Sequence, residues 1–410
     1  MRIGALLGLV LVAISGCETA PRELPAEPVI STSQPAPNSV PPLYREIEPV
    51  ADPYQDLPGW LLADLAPGLN ALKRSCASFQ ARAPGEYLSS RAAWVGRVSD
   101  WTPACAALDV ASDSASARAV LQALFVPVEI IDPSGNDRFT GYFEPALEAR
   151  LAPSGRFTEP IPALPSDLVS TPDGVFQRQS SGRLAPYPTR ADITRAGVYP
   201  LAYARPEDVF FLQIQGSGRL LLPDGRTLRA VYAAHNGRPF RSTANWLMNK
   251  GWITRGEASM AGIKAWMARS DPRRVREAMN ANPRFVFFNL EPEGNPALGP
   301  KGASGVPLTP LGSMAVDLGI HAGGVPMFVQ TTIPALGGNW SGLLIAQDTG
   351  GAIKGAVRGD IYMGTGDEAG RAADTVNAPG RLWILLPRRV AGGLQPVARS
   401  SKTGHLTFAP

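Results

Sequence analysis

Residues 343–363, LLIAQDTGGAIKGAVRGDIYM, decide how the rest of the chain is read. Leu343 to Gln347 are mostly apolar and predict a short buried strand. Asp348 ends that run, and Thr349, Gly350 and Gly351 follow; paired glycines mark a tight turn or a close backbone approach. After Ala352, Ile353, Lys354 and Gly355 the chain reaches Asp360, which leads into Ile361, Tyr362 and Met363. Two carboxylates are therefore expected at strand edges about one hairpin apart, with a lysine between them. Spacing alone leaves two readings open: each aspartate caps a turn, or the pair does chemistry.

Composition narrows the alternatives. A chain of 410 residues suggests two or three domains. With 44% hydrophobic and 18% charged residues it can bury a sizeable core, which excludes global disorder. The 42 glycines and 40 prolines, about a fifth of the chain, favour a loop-rich protein of short strands over a helical bundle. The net charge is +4 and no Lys/Arg run stands out, so nucleic-acid binding is not expected. There is no HExxH, no CxxC pair and no GxGxxG between a strand and a helix, and the three histidines, at 235, 321 and 405, sit in unrelated contexts. Neither a zinc site nor a Ser-His-Asp triad is expected. Carboxylates remain as the candidate chemistry.

From Gly59 the chain reads as globular. Trp60, Leu61, Leu65, Leu69, Leu72 and Phe79 recur at roughly helical spacing and predict one or two helices; residues 112–125 predict another. Runs of β-formers at 139–147, 209–214, 219–222 and 228–233 predict strands, with Asp224-Gly225 as a hairpin turn. Gly216-Ser217-Gly218 either lets a ligand approach the backbone or forms a bulge. Residues 243–281 turn helical, residues 284–288 read as a strand, and short strands recur at 314–316, 326–331, 343–346 and 382–386. The class expected is mainly β with helices, α+β.

Several strings in order carry a family resemblance. QDTGGAIKG at 347–355, then RGDIYMGTG at 358–366, EAG at 368–370 and GRLWIL at 380–385 resemble the three-aspartate (3D) domain. Around them TGYFEP at 140–145, FFLQIQGSGRL at 210–220, YAAHNGRPFRS at 232–242, NPRFVFF at 282–288 and GASGVPLTPLGSMAVD at 302–317 resemble the membrane-bound lytic murein transglycosylase A (MltA) family, from about residue 60 to about 390. The resemblance implies a catalytic double-psi β-barrel built from residues 56–138 and 243–395. Residues 139–242 are then an inserted, β-barrel-like substrate-binding domain, and a groove between the two holds a sugar chain.

It also implies a peptidoglycan lytic exotransglycosylase. Such an enzyme breaks the β-1,4 bond between N-acetylmuramic acid and N-acetylglucosamine without water and leaves a 1,6-anhydromuramoyl end. Carboxylates are what glycosidic cleavage needs. Asp360, in DIY, matches the general acid/base. Asp348 and Asp317 match the other two aspartates and are expected to support it, because like charges close together raise one pKa. Thr140, Gly141, Tyr142 and Gln215 match glycan-contacting positions, and Gly216 and Ser217 are grouped with them. Lys354 either holds a substrate carbonyl or pairs with an aspartate. No cofactor and no metal are expected. Two rivals stand beside this reading: a hydrolytic glycosidase, and a murein-binding lipoprotein without turnover.

The N-terminus reads as a targeting segment. Met1-Arg2, an apolar run at 3–14 and Ser15-Gly16-Cys17 resemble a lipoprotein signal peptide with its lipobox, covering residues 1–17. This implies lipidation of Cys17, and Glu18 fits sorting to the outer membrane, facing the periplasm. Residues 18–55 carry nine prolines and read as a tether with a reach on the order of 100 Å. The partners expected are peptidoglycan glycan strands and the outer membrane through the anchor; a monomer is expected, with complexes among cell-wall enzymes left open. Once Cys17 carries lipid, Cys76 and Cys105 are the remaining thiols; in the periplasm they either pair or stay as two buried free cysteines.

Overall fold

The computed structural model describes residues 44–45 and 54–393. The signal segment, Cys17 and most of the tether lie outside the described residues. The larger of its sheets has nine strands in the order Tyr44–Arg45, Phe125–Ile130, Gly380–Pro387, Pro326–Ile333, Gly338–Asp348, Ser313–Val316, Arg358–Thr365, Arg138–Glu144 and Asn377–Ala378. Its central strands are apolar in runs rather than in alternation, because they are covered on both faces: Phe328, Leu344 and Trp383 are all buried. Helix Ala66–Gln80 lies directly on Gly338–Asp348. Gly68 permits that approach, since a Cβ there would stand 2.3 Å from the Leu343 carbonyl oxygen. A disulfide, Cys76–Cys105, ties this helix to Val98–Asp109, with Cα atoms 5.4 Å apart.

The mixed α+β class is observed. A closed ring of barrel hydrogen bonds is not, among the described residues; the ladder ends at Tyr44–Arg45 and Asn377–Ala378. The chain itself spans the gap. Asn377–Ala378 pairs with Arg138–Glu144, Gly380–Pro387 pairs with Pro326–Ile333, and only Pro379 separates the two segments. Proline has no N–H to donate, so the ladder breaks there while the covalent chain continues. The Pro379 carbonyl still accepts from Thr331 Oγ1 at 2.9 Å.

A smaller sheet runs Val286–Pro292, Thr227–His235, Gly218–Leu221 and Ala146–Glu148 around its own core, which includes Leu147, Leu220 and Phe288. The chain crosses between the sheets at Pro145. The strand expected at 139–147 is therefore split: Phe139 and Phe143 pack in the larger core, while Leu147 packs in the smaller one. At the other end, Val286–Pro292 pairs with Thr227–His235, so the smaller sheet runs past residue 242, where its sequence boundary was expected. Residues 209–214, expected as a strand, lie in helix Pro206–Gln215. Pro206 and two acidic residues open that helix and Gly216, at φ 86°, closes it in the left-handed conformation. Val209, Phe210, Phe211 and Leu212 are buried all round, which removed the helical period from the sequence.

A buried ion cluster joins the two sheets at this crossing. Glu144, at the end of its strand, meets Arg219 Nε at 3.0 Å and Arg229 Nε at 2.7 Å, both from the smaller sheet. Thr365 Oγ1, at the end of Arg358–Thr365, donates to Glu144 at 2.9 Å. Arg219 also pairs with Glu293 at 2.5 Å.

Candidate active site

A cavity of about 260 Å³ lies where a face of the larger sheet meets residues of the smaller one. Its floor is a row of register partners. Asp348 pairs across to Ala315, Ala315 to Asp360, and Asp360 to Thr140. Partners in register share one face of a sheet, so these four side chains stand in line. With strands spaced about 4.8 Å, the two aspartate backbones are roughly 10 Å apart, and Ala315 leaves the space between them open. A bulge makes this row possible. Met314 pairs with Ala346 and Ala315 with Asp348, so Gln347 is skipped. Gln347 is buried instead, accepting from Ser313 Oγ at 2.6 Å and donating to the Ala71 carbonyl at 2.8 Å.

The two aspartates differ in what holds them. Asp348 has both oxygens engaged: Tyr142 OH donates to Oδ2 at 2.8 Å and the Ala303 amide to Oδ1 at 3.1 Å. Burial raises its pKa, with the Thr349 amide, Tyr142 and the Ala303 amide opposing. Asp360 is half-buried and accepts from Thr140 Oγ1 at 2.6 Å through Oδ1. Among the described residues nothing hydrogen-bonds its Oδ2. Burial lifts its pKa to about 6; the charge of Asp348 adds to this, while Thr140 and the Arg358 guanidinium oppose it. The site thus holds a carboxyl that keeps its proton up to about pH 6 and has one oxygen free for a ligand.

Gly141, Tyr142, Gln215 and Gly216 line the cavity with Asp348 and Asp360. Gln215 is held by the Phe143 amide, which donates to its Oε1 at 3.4 Å. Ser217 is buried and does not line it. Asp317 and Lys354 also stand outside the lining and serve the turn between Gly338–Asp348 and Arg358–Thr365. Asp317 accepts from the Gly319 amide at 3.0 Å, the Gly355 amide at 3.3 Å and Lys354 Nζ at 3.3 Å. Burial pushes its pKa up, but these donors outweigh that and hold it below the ordinary value. Of the two roles open to Lys354, the geometry has it paired with an aspartate. Among the described residues no cluster of His, Cys, Asp and Glu is arranged to hold a metal ion.

The opposite wall comes from the side expected to bind substrate, but its residues were not singled out from the sequence. It brings in Arg190, Gln213, Tyr232, Phe240, Asn282 and Arg284. Tyr232, Phe240, Asn282 and Arg284 all lie in YAAHNGRPFRS and NPRFVFF, so the signal that could have found them was the resemblance, not their spacing.

Comparison with known proteins follows the same lines. A family model described as the MltA specific insert domain matches residues 138–289, and one described as the 3D domain matches 312–386. The membrane-bound lytic murein transglycosylase A of Escherichia coli strain K12 is 35% identical over 277 residues, 65% of this chain and 70% of that protein. The chain belongs to the MltA family. A crystal structure of a membrane-bound lytic murein transglycosylase from Agrobacterium tumefaciens matches with a TM-score of 0.73 at 29% identity, covering 85% of this chain and 99% of that one. The crystal structure of E. coli MltA with bound chitohexaose matches with a TM-score of 0.59 at 28% identity, over 79% of this chain and 89% of that one. The MltA insert model reaches into the Val286–Pro292 strand, in keeping with that strand's place in the smaller sheet.

Proposed function

We propose that this chain cleaves murein glycan strands as a lytic transglycosylase, with Asp360 as both acid and base. The observation that carries the assignment is the contrast between the aspartates: Asp360 has a pKa near 6 and a free Oδ2, while both oxygens of Asp348 are engaged. A relative of this fold crystallised with chitohexaose supports a glycan as the ligand. In the step proposed, Asp360 gives its proton to the glycosidic oxygen leaving from C1 of the muramoyl residue. The C1–O bond breaks and the departing N-acetylglucosamine takes that proton on O4. The carboxylate then accepts the proton of the muramoyl 6-hydroxyl as O6 bonds to C1. The 1,6-anhydro ring closes, Asp360 is reprotonated and no water is consumed. Because the nucleophile belongs to the substrate, one catalytic carboxyl suffices. Asp348 and Tyr142 shape the floor, and Asp317 with Lys354 holds the turn behind it.

The segment from Ala146 to Pro292 is read as the unit that supplies the opposite wall, inserted between the two halves of the unit that carries the aspartates. The anchor is read as a lipid on Cys17, which agrees with the membrane-bound relatives; among the described residues no helix is long and apolar enough to cross a membrane. The test is mass spectrometry of digested sacculi. Anhydromuramoyl ends, lighter by one water than hydrolysed ends, support the reaction; reducing ends mean a hydrolase, and no release means a binding protein. Asp360→Asn should lose roughly 10²–10⁴-fold or more. If the folded variant keeps more than about a tenth of wild-type turnover, less than a general acid/base supplies, the assignment is wrong.

A further inference from the structure

The wall facing the aspartates carries an arginine that makes no ion pair among the described residues. Arg284 lines the cavity and is half-buried, and among the described residues no carboxylate comes within ion-pair distance of its guanidinium. Taking a guanidinium out of water without a partner is unfavourable unless a ligand supplies one. Its charge is felt by Tyr232 and by His235 beside it.

The position is built rather than accidental. Arg190, 2% exposed, donates from Nε to the Asn282 carbonyl at 2.9 Å and from Nη2 to the Arg284 carbonyl at 2.6 Å. Its guanidinium stands over the Phe210 and Phe285 rings at 5.4 and 5.1 Å. Asn282 Oδ1 accepts from the Arg284 amide at 3.2 Å. On the other side the guanidinium packs against Gly351, where a Cβ would lie 3.4 Å from Nη1, an ordinary contact distance. A second polar group waits on the same wall. Gln213 is 6% exposed, lines the cavity, and its Oε1 has no hydrogen-bond partner among the described residues.

We propose that Arg284 forms an anion subsite for a carboxylate carried by the substituent of the muramoyl residue, so that the cavity selects muramoyl strands over uncharged N-acetylglucosamine chains. This rests on the murein reading above. The muramoyl ring differs from N-acetylglucosamine by a lactyl ether on O3. That ether ends in a carboxyl, either free or joined to a peptide that bears carboxylates of its own. The cavity is small for a ligand pocket, so a ring whose C1 is at Asp360 has its substituent within reach of the facing wall. A guanidinium meets a carboxylate through two parallel N–H donors, a geometry that hydroxyls do not match. Gln213 Oε1 takes an N–H or O–H of the same substituent or of the ring.

The experiment uses the full chain with muramoyl strands stripped of peptide and with strands keeping their peptides, each as the free acid and as the methyl ester. Wild type should show a KM about ten- to a hundredfold lower for the acid than for the ester, the range of a hydrogen bond to a charged group. Arg284→Gln should erase that ratio, and Arg284→Lys should keep part of it. An Arg284-dependent ratio on stripped strands makes the lactyl carboxylate the ligand; one confined to peptide-bearing strands makes it a peptide carboxylate. An unchanged ratio in folded Arg284→Gln, or no acid preference in wild type on either strand, overturns the proposal. Should the Gln variant fail to fold, the Lys variant decides: it keeps the charge and loses the fork, so a ratio equal to that of wild type overturns the proposal. Calorimetric binding to Asp360→Asn protein reads the same ratio without turnover, so an acid preference there with no cleavage by wild type sinks the enzymatic reading and leaves the subsite standing.

Discussion

Asp360→Asn should make the protein inactive and more stable at once, and the stability gain should depend on pH. The carboxyl rises from an ordinary 3.8 to about 6 mainly because burial penalises its charged form. It therefore binds its proton more tightly folded than unfolded. The stability it contributes is present below about 3.8 and is lost as pH rises through about 6. Integrated over that window, the ionised side chain costs the folded state about 3 kcal/mol at pH 7.5 and almost nothing at pH 3.5. Asparagine keeps the shape, can still accept the Thr140 hydrogen bond and carries no charge at any pH. With an unfolding entropy of about 2.1 cal/mol/K per residue, 3 kcal/mol moves the Tm of a chain this long by roughly 4 °C.

The assay is a pair of melts, wild type against Asp360→Asn, at a series of pH values from about 3.5 to 7.5. The difference in Tm should open with rising pH and level off above about 7. A difference that is constant with pH, or a variant that is less stable near neutrality, would falsify the claim that Asp360 is held in a charge-averse site. Turnover on the same preparations separates chemistry from folding: stability should rise where activity vanishes.

Thr140→Val removes the hydroxyl that lowers the Asp360 pKa, so the alkaline limb of kcat/KM should move to higher pH; an unmoved or lowered limb counts against the pairing. Glu144→Ala leaves Arg229 buried without a carboxylate and should cost about 3–5 kcal/mol in urea unfolding; a loss under about 1 kcal/mol would mean the cluster does not lock the sheets. Reducing Cys76–Cys105, 29 residues apart, should cost about 3–4 kcal/mol by the loop-entropy model, and two alkylatable thiols in the unreduced protein would show that the bridge is not formed. Protein lacking residues 1–17 should leave the membrane fraction and stay active; retention there argues against the lipid anchor.

Strands that read as short apolar runs were legible from the chain: residues 326–331, 343–346 and 382–386 lie within strands of the larger sheet. What failed had a local cause. Residues 209–214 are β-formers by type, yet Pro206, Glu207 and Asp208 start a helix and Gly216 stops it, and full burial hid the period that would have shown it. The strand that completes the smaller sheet arrives only at Val286, after three helices, and no local signal records which sheet a strand will join.

The roles within the site are harder still to read from the chain, and the reason is physical. Asp348 and Asp360 have the same local grammar, an aspartate at the end of an apolar strand or near the start of one, with glycine within two residues. Nothing within five residues of either tells the two apart. The distinction comes from partners more than forty residues away: Tyr142 and Ala303 occupy both oxygens of Asp348, while Thr140 occupies one oxygen of Asp360. Those partners arrive through register. Arg138–Glu144 runs parallel to Arg358–Thr365, which sets Thr140 opposite Asp360, and the bulge at Met314/Ala315 sets Asp348 rather than Gln347 into the same row. A slip of one residue in either pairing would turn the side chain to the other face, so the surroundings of Asp360 are specified by the sheet's register as much as by the aspartate itself.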